Sequence, residues 1–111
     1  MSKRTPNLLL EDILDAANKI LDYTSEMSYE EFYIDNKSVD AVCRNFEIIG
    51  EAANMLPDEF RTKIDTIDWY RIKGFRNRII HEYFGVDLQI LWKIKEEQIP
   101  DLIREISKIL K

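Results

Sequence analysis

The residues of this chain best suited to chemistry lie within one short stretch. His81 is the only histidine, Arg76 and Arg78 stand shortly before it with Asn77 between them, and Tyr83 follows two residues later. A guanidinium is permanently charged and can grip two phosphate oxygens at once. An imidazole gives or takes a proton near neutral pH. Together they suit phosphodiester chemistry without a metal. In RNA the 2′-hydroxyl attacks the adjacent phosphorus, one group removes its proton and another protonates the leaving oxygen. His81 also falls in the last turn of its predicted helix, where the negative end of the helix dipole favours a protonated ring.

The spacing sets a geometric condition on that chemistry. Arg76 and Tyr83, seven apart, lie nearly on one line of a helix, whereas Arg76 and His81, five apart, are separated by about 140° around it. Either the last turn loosens towards Gly85, so that the two side chains converge, or two copies of the helix meet across a two-fold axis and share their sites. The second arrangement also brings two histidines to one cleft, which supplies both a base and an acid. Taken alone, an arginine five residues before a histidine is a weak signal, and a lone histidine among aromatic residues is often structural.

Charge supports a focused anion site. Residues 69–84 hold Arg71, Lys73, Arg76 and Arg78 against Glu82 alone, a local charge of +3, which leaves −8 for the remainder of a chain of net charge −5. An acidic chain argues against broad, non-specific nucleic-acid binding, which needs a wide basic surface. No Asp, His and Cys set has metal-ligand spacing, and there is no glycine-rich phosphate loop. No metal and no cofactor are expected. On a preceding helix Arg44, Glu47 and Glu51 sit at offsets of three and four and share a face. They read either as a surface ion-pair ladder, which spacing favours, or as a polar rim facing the His81 helix or a second subunit. Cys43 lies on the apolar stripe of that helix and reads as a core residue.

The elements that must position these groups are helical. Thr5 can cap a first helix with Pro6 at its first position, and Leu10, Ile13, Leu14, Ala17, Ile20, Leu21 and Thr24 carry an apolar stripe to about Met27. Ser28-Tyr29-Glu30-Glu31 has the form of a capping box and opens a short turn through Phe32. Asp35 or Asn36 can cap a second long helix from about Lys37, with Val39, Val42, Cys43, Phe46, Ile49, Gly50 and Ala53 inward, and Pro57 stops it. Gly50, Ala52 and Ala53 permit close approach of a neighbouring helix. Asp58–Lys63 predicts a short helical turn and 64–67 a connector. Asp68 can cap the central helix, whose apolar contacts are Trp69, Ile72, Phe75, Ile79, Ile80 and Tyr83, with Gly85 at its C-terminal cap. Asp87 can cap a last helical segment from Leu88, Trp92 is placed to pack on the central helix, and Pro100 predicts a kink or break just before it. The expected architecture is an all-α, antiparallel bundle of four to five helices in one domain over residues 1–111.

Composition is consistent with this. Hydrophobic residues make up 45% and charged residues 33%, and only three Gly and three Pro punctuate the chain, which suits long helices. A single cysteine allows no internal disulfide and points to a reducing compartment. No apolar run approaches the roughly 20 residues of a membrane span, and the first residues lack the apolar segment of a secretory signal. A cytoplasmic protein with no membrane partner is expected.

Arg76-Asn77-Arg78-Ile79-Ile80-His81-Glu82-Tyr83 resembles the Arg-x(4)-His-x-Tyr signature of HepT-like toxins in the HEPN superfamily. The segment from Arg44 through Glu47 and Glu51 to Ala53 resembles that family's second-helix pattern, and Leu91–Ile94 through Ile99–Leu102 its C-terminal helix. The resemblance implies an all-α HEPN-like bundle that forms a homodimer, with the cleft at the subunit interface. It implies a metal-independent endoribonuclease acting on RNA as the toxin of a type VII-like toxin–antitoxin pair. The implied partner is an MntA-type nucleotidyltransferase antitoxin, which silences the toxin by transferring AMP to the tyrosine matching Tyr83. Arg76 then holds the scissile phosphate, His81 is the acid–base residue, and Asn77 and Arg78 support them. Tyr83 falls on the Arg76 line, so an AMP there would put a phosphate beside Arg76 and block the substrate. Two other classes compete. One is a non-catalytic helical partner that binds a nucleotide or substrate for a separate nucleotidyltransferase. The other is a dimeric scaffold with a coincidental motif.

Overall fold

The structure is a computed structural model and describes residues 5–65, 67–70, 72–74 and 88–110. All its regular elements among these residues are helices: α1 (Pro6–Thr24), α2 (Tyr29–Ile34), α3 (Asn36–Met55), α4 (Asp58–Lys63), α5 (Leu88–Glu97) and α6 (Ile99–Leu110). Between α4 and α5 the backbone is helical at 69–70 and 72–74, the opening turn of the predicted central helix. The fold is the expected all-α bundle.

Local chemistry places most helix ends. The Thr5 hydroxyl accepts from the Leu8 N–H, with Pro6 at the first helical position. The capping box at Ser28 forms in both directions: the Glu31 N–H donates to the Ser28 hydroxyl at 3.1 Å, and the Ser28 N–H donates to the Glu31 carboxylate at 2.9 Å. Asp35 caps α3 by accepting from the Ser38 N–H. α3 ends at Met55, with Leu56 extended before Pro57. Arg61 of α4 then donates to the Ala53 carbonyl at 3.2 Å while pairing with Asp58, so a guanidinium adds a second donor to a carbonyl that also accepts from the Leu56 N–H, at the negative end of α3.

Two boundaries differ from expectation. α1 stops at Thr24 instead of about Met27. The Thr24 side chain is buried and its hydroxyl donates back to the Ile20 carbonyl at 2.8 Å, while the Ser25 and Met27 N–H groups close short turns onto Asp22 and Thr24. The capping box holds Ser28 extended, so the chain must leave the helix earlier than its apolar stripe suggests. α2 runs two residues beyond Phe32, to Ile34. The predicted break before Pro100 is a single residue, Gln98, and Pro100 sits in the first turn of α6, where a missing N–H costs little.

The core lies where α1 packs on α3 and on α6. Leu10, Ile13, Ala17 and Ile20 of α1, Ile49 of α3, and Ile99, Leu102 and Ile106 of α6 are inaccessible to solvent. Gly50, Ala52 and Ala53 are buried on α3, as close helix approach requires. Leu14 and Leu21 sit at the edge of this core, with Leu9 and Ala16 inside it. A helix with neighbours on two sides buries a wider arc than one stripe. Among the described residues no helix is long and apolar enough to cross a membrane.

Candidate functional site

Arg76, Asn77, Arg78, His81 and Tyr83 all lie outside the described residues, as do Phe75, Ile79, Ile80, Gly85 and Asp87. What the structure describes is how the chain enters and leaves the segment that holds them.

On the entering side, the Ile72 N–H donates to the Asp68 carbonyl at 3.1 Å, so the helix starts at Asp68 as its cap position predicts. Two side chains fix how this turn is rotated. Ile72 is buried in the core, and Trp69 packs against the core with its indole N–H donating to the Ile64 carbonyl at 2.9 Å. With Trp69 and Ile72 drawn inward, Tyr70 is forced out and Lys73 is exposed as well.

On the leaving side, α5 starts at Leu88 and is fastened by Leu91, which is fully buried, and by Trp92. Beyond its own helix, the described partners of Trp92 are on α2, and its expected packing on the central helix falls on residues outside the described ones. Its ring lies 5.1 Å from that of Phe32 and 5.9 Å from that of Tyr29. The Lys95 ammonium sits 3.6 Å from the Trp92 ring centroid and 3.8 Å from the Glu96 carboxylate. Burial pulls the Lys95 pKa below its ordinary value, against the opposing pull of Glu96. This corner fastens α2 to α5, so the signature segment is bracketed by two anchored ends.

On α3 the predicted polar row is present. An Arg44 guanidinium nitrogen donates to the Glu47 carboxylate at 3.2 Å, with the two side chains 67% and 24% exposed. An ion pair this open to water contributes tenths of a kcal/mol, on the order of 0.2–0.5. Arg44 and Glu47 thus behave as a surface ion pair. Glu51 is half-buried on the same helix. Cys43 is buried, and burial, followed by the Asp40 and Glu47 charges, pushes its thiol up to about 11. It is a neutral core side chain at physiological pH, not a nucleophile. Asn45 is buried on α3 but satisfies itself by donating to the Ala41 carbonyl at 2.8 Å. Among the described residues no group of three or more His, Cys, Asp or Glu is arranged to hold a metal ion.

The outward placement of Tyr70 was open to inference from sequence. Trp69 and Ile72 form an i, i+3 pair facing the core, and Tyr70 lies about 200° from Ile72 around the helix. The burial of Lys95 under Trp92 carried a weaker signal, their i, i+3 spacing.

Comparison with known proteins places this arrangement. Residues 13–109 match the family model described as "Ribonuclease HepT-like". A Methanocaldococcus jannaschii protein that bears the name "Putative RNase" is 43% identical, covering 96% of this chain and 98% of that protein. A Thermococcus cleftensis protein named "Probable ribonuclease HepT" is 40% identical over 98% of this chain and 99% of its own length. A Caldanaerobacter subterraneus relative, also named as an RNase, is 39% identical over 96% of each chain. No solved structure gives a significant match. With a family match over most of its length and near full-length relatives at about 40% identity, this helical chain belongs to the HepT-like ribonuclease family.

Proposed function

We infer that this chain, as one HEPN-like domain, is a metal-independent endoribonuclease and the toxin half of a toxin–antitoxin pair. The observation that carries the reading is the family match across residues 13–109, which spans the Arg76–Tyr83 signature and both of its anchored flanks. Arg76 holds the scissile phosphate. His81 moves the protons, Asn77 and Arg78 support the pair, and Arg44, Glu47 and Glu51 form a polar rim. The 2′-hydroxyl loses its proton and bonds to the adjacent phosphorus. The bond from phosphorus to the 5′-oxygen breaks, that oxygen takes a proton, and a 2′,3′-cyclic phosphate is left. One histidine per chain serves both proton transfers when two chains share a cleft, so the working unit is a homodimer. An MntA-type nucleotidyltransferase silences the enzyme by placing AMP on Tyr83, and the pair acts in the cytoplasm where its RNA is.

The test is cleavage of total cellular RNA by the purified protein in EDTA, with His81→Ala alongside. Wild type should cut and leave cyclic phosphate ends, and the variant should lose roughly 10²–10⁴-fold in rate. Intact-mass measurement should first show that Tyr83 is unmodified. If folded, unmodified wild type leaves RNA whole, the ribonuclease reading fails and a nucleotide-binding partner of a separate nucleotidyltransferase replaces it.

A further inference from the structure

We propose that Tyr70 and Lys73 form an accessory subsite for single-stranded RNA, the phenol ring stacking on a base and the ammonium holding a neighbouring phosphate. The proposal rests on the ribonuclease reading and extends it to residues outside the signature.

Tyr70 is 89% exposed, more than any other large apolar side chain among the described residues. It is held out because the turn that carries it is pinned from the other side by buried Ile72 and by the Trp69 indole bonded to Ile64. The turn therefore presents the ring to solvent, without a packing role of its own among the described residues. Lys73 and Gly74 follow at three and four residues, so they share its face. Lys73 is exposed, and among the described residues it has no ion-pair partner. Among the described residues nothing stands within 4 Å of the position a Cβ would take at Gly74. A ring and a cation thus lie side by side, next to a residue without a side chain. Asp68, the nearest carboxylate in sequence, lies about 200° round an ideal helix from Tyr70. The next cations along the chain are Arg76 and Arg78, so the patch leads into the segment of positive charge that holds the signature.

This combination fits unpaired RNA. Every base has a face that can stack on an aromatic ring, and the backbone supplies phosphates for adjacent cations. The other strongly exposed apolar pair, Tyr33 and Ile34, lacks the second half of that chemistry, because Glu30 and Asp35 flank it and repel phosphate.

The experiment titrates a fluorescently labelled single-stranded oligouridylate against the full chain carrying His81→Ala, so that the probe is not cut, over a series of NaCl concentrations. Adding Tyr70→Ala should weaken binding roughly tenfold and leave the slope of log affinity against log salt unchanged. Tyr70→Trp should restore binding. Lys73→Ala should flatten that slope by roughly 0.7, the release of one phosphate contact on a single strand. In the cleaving protein, Tyr70→Ala should raise KM and spare kcat. Binding by Tyr70→Ala equal to its parent overturns the subsite, as does a change in the variant's sedimentation mass, which would place the ring in a protein interface. The two readings fail separately. Wild type that does not cut RNA but binds it through Tyr70 refutes the catalysis and keeps the subsite; cleavage with Tyr70-independent binding does the reverse.

Discussion

The seam between α1 and α3 and the opening turn of the central helix use apolar side chains to opposite ends. Along the seam, residue after residue is sealed from water: Leu10, Ile13, Ala17 and Ile20 on one helix and Ile49 on the other have no accessible surface. On the outer face of α3, Arg44 pairs with Glu47. On the opening turn only two side chains, Trp69 and Ile72, are drawn in, and their effect is to turn Tyr70 and Lys73 outward. Burial in the first region supplies stability. In the second, a small amount of burial supplies direction, and what it directs is a ring and a cation with no partner among the described residues.

If that division holds, breaking the seam should cost stability and little else. Ile49→Ala removes a fully buried side chain and should destabilise the fold by about 2–5 kcal/mol in chemical denaturation. Activity per folded molecule should stay near wild type, and a large loss from still-folded protein would show that the seam also shapes the site. Trp69→Phe is the sharper probe, because it keeps most of the ring and deletes the donor to Ile64. It should cost about 1 kcal/mol in stability, and it should weaken RNA binding through the loosened direction of Tyr70. Unchanged RNA affinity would mean that the Ile72 anchor alone orients the turn. The smallest effect is expected on the α3 row. Arg44→Ala should change stability by a few tenths of a kcal/mol, and a much larger change would show that the row faces something more than solvent.

Local rules made much of this molecule legible before folding was considered. The caps at Thr5, Ser28 and Asp35, the stop at Pro57 and the break before Pro100 were all readable, because each depends on hydrogen bonds or steric limits within a few residues. The burial of Cys43 followed from its place on an apolar stripe. The end of α1 was not readable, since its stripe runs on past Thr24 and only the demands of the following capping box cut it short. The contact of Trp92 with α2 was not readable either. An aromatic residue on a helix can turn to any neighbour that offers a surface, and the described contacts come from the short α2, which carries Tyr29 and Phe32 to it.

The sequence by itself determined the helical character of the chain, most of its helix ends and the clustering of Arg76, Arg78, His81 and Tyr83 beside a local positive charge. These are set by periodicity, capping chemistry and residue type, which need no knowledge of distant contacts. Tertiary structure alone decided which arc of α1 is sealed between α3 and α6, and that Trp92 meets Tyr29 and Phe32 of α2. Those outcomes depend on what lies across the packing interface, and a side chain's own neighbours in sequence carry no record of that.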